Sequence, residues 1–384
     1  MSLAPPPPPP PPSTVSMKQY RGKLPLSIIT VAVCCLALIA LLYTERLSLL
    51  SSSSIFRPKS CSKRASVLKS KDKTAEDNAY NTEIDDRFDF DPEECSVVNG
   101  KWVFNSSIKP LYSDRACPYL DRQVSCVKNG RPDSDYRHWE WQPEDCTLPR
   151  FNPELALKKL RNKRLLFVGD SLQRGQWQSF VCMVEFIIPE DKKSMKRGRA
   201  LSVFKAKEYN ATIEFYWAPF LVESNTDEKI IGDPKKRILK VDTVAKHAKH
   251  WLGVDILVFN TYVWWMSGIR LKTFSKDWGN KDGLKCYNET KPVMKKKHWG
   301  SGSDKRMMSV VADIVHKMKV PVTFINVTQI SEYRIDAHSS VYTETGGKLL
   351  TEEQKADPLR HADCIHWCLP GVPDTWNQIF FAHL

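Results

Sequence analysis

Apolar and polar positions divide the chain into regions of different texture. From Leu24 to Tyr43 (LPLSIITVAVCCLALIALLY) no charge interrupts the apolar run. Its roughly 20 residues, at about 1.5 Å each in a helix, match the ~30 Å of a hydrocarbon core. Lys18, Arg21 and Lys23 precede the run, while Glu45 and Arg46 follow it, so the cation bias predicts a cytosolic N-terminus and a single-pass type II anchor at 24–43. A cleaved signal peptide would carry a shorter apolar stretch, ~7–15 residues, followed by a small-residue cleavage site. Residues 1–23 read as a cytosolic tail in which Pro5 to Pro12 form an extended polyproline stretch. Residues 44–91 are rich in Ser, Lys, Asp and Glu, the composition of a stem that buries too little surface to fold alone.

Residues 92–151 combine four cysteines with Trp102, Trp139, Trp141 and the turn-rich Asn129-Gly130-Arg131-Pro132-Asp133, without helical periodicity. They predict a small disulfide-tied subdomain. In residues 152–384 the period alternates. The apolar run Arg164 to Val168 ends in Gly169-Asp170-Ser171, after which apolar residues recur at helical intervals through Phe186: strand, tight turn, helix. Thr212 to Trp217, Asp255 to Phe259 and Pro321 to Asn326 predict further strands, and Val241 to Trp251 and Asp304 to Met318 predict helices. Strands separated by helices predict a three-layer α/β/α domain with a mainly parallel sheet.

Ser171 falls at the carboxyl end of a strand and the start of a helix, where an α/β sheet presents its chemistry. A serine there is also an ordinary helix cap. A serine nucleophile requires a base and a third group that holds the base in the correct tautomer, and Asp363-Cys364-Ile365-His366 supplies such a pair. A carboxylate three residues ahead of an imidazole can face the same way on a turn, so that Asp363 binds one ring nitrogen and the other accepts from Ser171.

Gly169-Asp170-Ser171-Leu172 with Asp363-Cys364-Ile365-His366 resembles the signature of the plant trichome birefringence-like proteins, relatives of the GDSL/SGNH esterases. The resemblance extends over the Cys/Trp-rich segment, Leu148 to Phe151, Phe259-Asn260-Thr261 with Trp264-Trp265, and His366 to Asn377. It implies an SGNH-like fold and a Golgi type II membrane enzyme that O-acetylates wall polysaccharides. Gly169 to Phe180 and Phe259 to Trp265 are most similar to xylan O-acetyltransferases, so xylan is the favoured acceptor. Mannan, xyloglucan or pectin as acceptor, an acetyl-polysaccharide esterase with water as acceptor, and a non-catalytic polysaccharide-binding protein are the alternatives. The resemblance implies Ser171 as nucleophile, His366 as base and Asp363 as its orienting group. It places Asn260 at the oxyanion position, although Val258-Phe259-Asn260-Thr261 lacks the Gly and Asp of the usual block. Arg174, one turn along the helix from Ser171, is a candidate charged donor, and Trp264 and Trp265 are candidates for stacking on sugar rings. No bound cofactor is expected, only an acetyl donor, acetyl-CoA or another acetyl carrier.

Composition adds three constraints. Lys and Arg number 57 against 44 Asp and Glu, a net +13. Most of the excess lies beyond the stem, where a lumenal topology excludes nucleic acid and leaves acidic polysaccharide as the partner of opposite charge. Of 11 cysteines, Cys34 and Cys35 fall in the span and Cys61 in the stem. Cys95, Cys117, Cys126, Cys146, Cys182, Cys286, Cys364 and Cys368 remain, an even set whose pairing the sequence leaves open. Cys364, His366 and Cys368 alternate as in part of a zinc site, but no second ligand pair has metal-site spacing and a lumen oxidises thiols. Disulfides that pin the loop of Asp363 and His366 are expected, and no metal. Asn105, Asn210, Asn288 and Asn326 head glycosylation sequons, all beyond the span.

Overall fold

The computed structural model describes residues 90–92, 94–266, 275–295, 298–300 and 303–384. The apolar run at 24–43, Cys61 and nearly all of the stem lie outside the described residues. Among the described residues no helix is long and apolar enough to cross a membrane.

Strand β1 (Gly100–Phe104) pairs antiparallel with β2 (Trp139–Pro143), placing Trp102 opposite Trp141. Helix α1 (Pro153–Lys159) starts from Asn152, whose side chain accepts from the Leu155 N–H, with proline in the first turn. There follow β3 (Arg164–Gly169), α2 (Ser171–Glu185), β4 (Lys193–Arg197), β5 (Leu201–Ala206) and β6 (Ala211–Trp217). A short ribbon joins β7 (Glu223–Ser224) to β8 (Leu239–Lys240), and then come α3 (Val244–Ala248), β9 (Ile256–Asn260) and α4 (Tyr262–Met266). The last third contains α5 (Lys305–Lys317), α6 (Val327–Ser331), β10 (His338–Ser340), the hairpin of β11 (Glu344–Thr345) and β12 (Lys348–Leu349), β13 (Asp363–Trp367) and α7 (Val372–Ala382).

The main sheet has the order β4-β5-β6-β3-β9. β3 runs parallel to β6 and β9, but β4, β5 and β6 form an antiparallel meander. The sheet is therefore mixed, which corrects the mainly parallel expectation. The physical reason is connection length: β5 reaches β6 through Lys207–Tyr209 and a left-handed Asn210 at φ 47°, a turn too short for a parallel crossover. The basic stretch Lys192–Arg199 contains this sheet's edge strand β4, and lysines there discourage further pairing. Pro321 to Asn326 is a second correction. It forms no strand, with Val322 and Phe324 exposed, while Ile325 turns into an aromatic core and Asn326 caps α6. Local apolar alternation sets a preference for extended backbone and leaves the pairing partner undetermined.

Alternation along β3 builds two faces. Leu165 and Phe167 pack with Trp177, Phe180, Val181 and Val184 of α2, and with Phe380 and Phe381 of α7. Leu166 and Val168 face the other way, toward Tyr216, Trp251 and Val254. Helices α2 and α7 thus cover one face of the sheet, and the segment that follows α3 packs on the other. The Cys/Trp-rich segment has no separate core: Trp102, Tyr136 and Trp141 pack with Ile330, Trp367, Val372 and Trp376. Within that core Arg334, 1% exposed, lies 4.4 Å over the Trp102 ring and pairs with Asp336 at 2.9 Å.

Candidate active site

The site begins where β3 ends. Gly169 stands beside Asn260 in the parallel register, and a Cβ at position 169 would run into the Asn260 carbonyl oxygen and the Gln173 side chain. Only glycine allows β3, β9 and α2 to close this tightly. Asp170, fully buried, caps α2 by accepting from the Leu172 N–H at 2.8 Å. Burial pushes its carboxyl up to about 7, although backbone hydrogen bonds oppose the rise. Ser171 is left partly exposed at the carboxyl edge of the sheet.

Strand β13 carries the other two groups to it. Ser171 Oγ lies 2.7 Å from His366 Nε2, and His366 Nδ1 lies 2.7 Å from Asp363 Oδ2. Asp363 Oδ1 accepts from the backbone N–H groups of Ile365 and His366, each at 3.0 Å. Burial alone would raise the Asp363 carboxyl, but the His366 ring and these hydrogen bonds outweigh it and hold the group well below the usual carboxylate range. An ionised Asp363 accepts a hydrogen bond from Nδ1–H and keeps the proton on that nitrogen, so Nε2 is the acceptor for the Ser171 hydroxyl. From β10, His338 Nδ1 and Ser339 Oγ donate to the His366 carbonyl at 3.3 and 3.2 Å. His338 stacks on Trp367 with centroids 4.0 Å apart, and burial lowers its pKa to about 4, so it stays neutral.

Gln123 is a neighbour that no sequence signal marks. Its Nε2 sits 3.1 Å from His366 Nδ1, and its Oε1 accepts from Arg174 Nη2 at 3.1 Å. The Arg174 guanidinium also pairs with Asp121 at 3.4 Å, and Asp121 pairs with Arg197 at 2.8 Å. Arg174 is thus engaged by Asp121 and Gln123. Asn260 is among the residues that line an apolar pocket of about 140 Å3, which adjoins the site through Leu172, Ile365 and Trp367.

Residues 148–274 and 270–383 match the GDSL/SGNH-like Acyl-Esterase family found in Pmr5 and Cas1p, and residues 93–147 match the PMR5 N terminal Domain. The chain belongs to this family. Protein trichome birefringence-like 3 of Arabidopsis thaliana is 57% identical, over 94% of this chain and 97% of that protein. Probable xylan O-acetyltransferase 8 of Oryza sativa subsp. japonica is 44% identical over 96% of this chain and 99% of its own length. Xylan O-acetyltransferase 3 of the same organism is 41% identical over 76% of each. With such relatives the chain is a trichome birefringence-like protein and an O-acetyltransferase.

In this family member the eight cysteines pair as Cys95–Cys146, Cys117–Cys182, Cys126–Cys368 and Cys286–Cys364. The last two bracket His366 through Cys364 and Cys368, and Cys364 directly follows Asp363. Cys364 and Cys368 are consumed in disulfides, so neither is a thiolate available to zinc, and among the described residues no His/Cys/Asp/Glu group has a metal-holding arrangement. Trp264 does not line an open groove: it is 9% exposed, with Trp217 and Phe220 edge-on and Arg237 4.2 Å over its ring. Trp265 is 38% exposed and packs edge-on with Phe220. Asn210 and Asn288 are exposed, whereas Asn105 and Asn326 are partly buried and use their side-chain oxygens to accept from Ser107 and Gln329 N–H groups.

Arg131 was visible only as part of a turn motif. It is 6% exposed, forks onto Asp133 at 2.9 and 3.0 Å and donates to the carbonyls of His338 and Asp336. It therefore fixes β10, the strand behind His366. Its importance lies in contacts more than 200 residues away in sequence, which no local pattern announces.

Proposed function

We propose that this protein transfers acetyl groups to a wall polysaccharide, xylan in the favoured case, by double displacement through an acetyl-Ser171 intermediate. The observation that carries the mechanism is the unbroken relay from Ser171 to His366 to Asp363, with both hydrogen bonds at 2.7 Å. Ser171 Oγ attacks the acetyl carbonyl as its proton passes to His366 Nε2. The carrier leaves with that proton, and an acetyl ester remains on Ser171. A sugar hydroxyl then gives its proton to His366 and takes the acetyl group, and the proton returns to Ser171. Asp363 stabilises the imidazolium formed in each half-reaction. The tetrahedral oxyanion requires preorganised donors, and the Ser171 backbone N–H is one of the donors at the α2 start that have no partner within the helix. Asn260 is the side-chain candidate. The acetyl donor is acetyl-CoA or another acetyl carrier. The names of the rice relatives support xylan, the charge-free run at 24–43 with cations before it supports a membrane anchor with the folded part lumenal, and the Golgi is the compartment that the family resemblance implies.

The test is to incubate the purified protein with an acetyl donor and unacetylated xylo-oligosaccharide, and separately with acetylated xylan alone. Mass gain on the acceptor that disappears in Ser171→Ala is the expected result. Acetate release from acetylated xylan without any transfer would instead assign an esterase.

A further inference from the structure

A second cleft, of about 590 Å3, opens far from Ser171. Met183, one of its lining residues, follows Ser171 by 12 positions on α2, about 18 Å along a helix axis. The cleft is walled by Tyr136, Arg137, Trp139, Glu140, Arg150 and Asp374, among others. Its volume falls within the range of small-molecule sites.

Two buried donors lack partners here. Tyr136 is 1% exposed, and among the described residues its hydroxyl has no hydrogen-bond partner; the indole N–H of Trp139 is likewise buried and, among the described residues, unpaired. Leaving such groups unsatisfied is unfavourable unless a ligand meets them. The Arg131 guanidinium, 4.2 Å over one face of the Tyr136 ring, holds that ring in place.

The chemistry of the walls selects among ligands. A metal cation needs open carboxylate oxygens, but Asp374 already accepts from Tyr112 and Ser179 with one oxygen and from the Gly371 N–H with the other. A purely apolar ligand leaves the Tyr136 and Trp139 donors unpaired. A phosphate needs desolvated cations with free donors, whereas the buried Arg334 of this lining is spent on Asp336 and the Tyr136 carbonyl, and the Arg150 side chain is 78% exposed and lies 3.7 Å from Glu140. A glycan satisfies all three features: its C–H faces pack on aromatic rings, and its hydroxyls both donate and accept beside walls of mixed charge.

We propose that this cleft binds a short stretch of polysaccharide at a distance from the segment being acetylated, which rests on the acceptor reading given above. The two contacts would then act together, since the second engagement of a chain already held is intramolecular. Affinity rises once a chain is long enough to reach both.

The experiment titrates the full-length Ser171→Ala protein in detergent with xylan fragments of increasing length by calorimetry, then repeats the series with Tyr136→Phe and with Trp139→Phe added. Melting curves verify that each variant is folded. Expected is a Kd that drops with length in the parent, and a five- to tenfold weaker Kd for long chains in both variants. In Ser171-intact protein the ratio of KM for polymer to KM for short oligosaccharide should rise by a similar factor in Tyr136→Phe. Equal affinity for long and short fragments in the parent, or an unchanged long-chain Kd in both folded variants, overturns the proposal. Length dependence with mannan and none with xylan keeps the cleft and discards the xylan reading. Because Ser171→Ala performs no transfer, failure of the mechanism and failure of the cleft are scored separately.

Discussion

Asp363 holds His366 at two points: one carboxylate oxygen lies 2.7 Å from the ring Nδ1, and the other accepts from the backbone N–H of the same residue at 3.0 Å. The double contact fixes both the tautomer and the position of the ring. It also ties the ring's placement to the chain segment between the Cys286–Cys364 and Cys126–Cys368 disulfides.

Replacing Asp363 by asparagine should therefore damage chemistry more than binding. The amide presents a donor where Nδ1–H needs an acceptor, favouring the wrong tautomer. Under the proposed mechanism kcat for acetyl transfer should fall about 10^3- to 10^4-fold, with KM for the acceptor within a factor of a few. Steady-state kinetics on the variant decide it, and a loss confined to KM would contradict the assigned role.

Gly169→Ala tests the closure beneath the serine. The added methyl meets the Asn260 carbonyl oxygen, which belongs to the β9 backbone, so the neighbour cannot rotate away. A loss of at least about 3 kcal/mol is expected, at or beyond the upper end of overpacking costs. Denaturant titration measures it; a wild-type midpoint would show that β3 and β9 separate more easily than their packing indicates.

Arg131→Lys keeps the charge and removes the fork. Lysine cannot reach Asp133 bidentately while also donating to the carbonyls of His338 and Asp336. Stability should drop by roughly 2–4 kcal/mol, since several buried partners lose their donors. The melting temperature should fall by several degrees, and part of the activity should go with it through a looser β10–β13 pair. A variant that melts with the parent would remove Arg131 from the framework of the site.

Stability should decline as pH rises from 5 to 8. Asp170 and Asp374 are buried acids with pKa values raised to about 7 and about 6, so each holds its proton more tightly in the folded state. Their contribution is full below the unfolded carboxylate value and is lost as pH rises through 6 to 7. Asp363, held low, works in the opposite sense: its contribution is present above the unfolded value and vanishes only as pH falls below it. Over the neutral window the raised pair is opposed by His338, whose pKa, lowered to about 4, makes the fold gain stability as pH rises toward the ordinary imidazole value; the two carboxyls outweigh it, and an unfolding free energy lower by roughly 2 kcal/mol at pH 8 than at pH 5 is expected. Asp374→Asn should flatten the dependence. Equal stability at the two pH values would show that these acids are hydrated or better paired than their burial indicates.

Some of this molecule is written in short stretches of sequence. The run Arg164 to Val168, followed by Gly169-Asp170-Ser171, specifies strand, turn and capped helix because each step depends on neighbours within one helical turn: apolar period, glycine at the crowded bend, a carboxylate accepting from the Leu172 N–H. The spacing of Asp363 and His366 allows their contact for the same local reason. The strand at Thr212 to Trp217 was legible but its antiparallel partners were not, because β4 is lysine-rich like a solvated loop and alternation does not set pairing direction, and the expected strand at Pro321 to Asn326 failed because extended propensity does not choose a pairing partner. Trp264 looked like a sugar platform, but burial among Trp217, Phe220 and Arg237 is decided by residues outside its own segment. Gln123 meets His366 from 243 positions away, and Arg131 reaches β10 from more than 200. The sequence alone thus determined the local turn that presents Ser171 and the Asp363–His366 pair. The tertiary structure alone decided which disulfides close and which distant side chains surround the site, because those contacts form only after packing brings remote segments together.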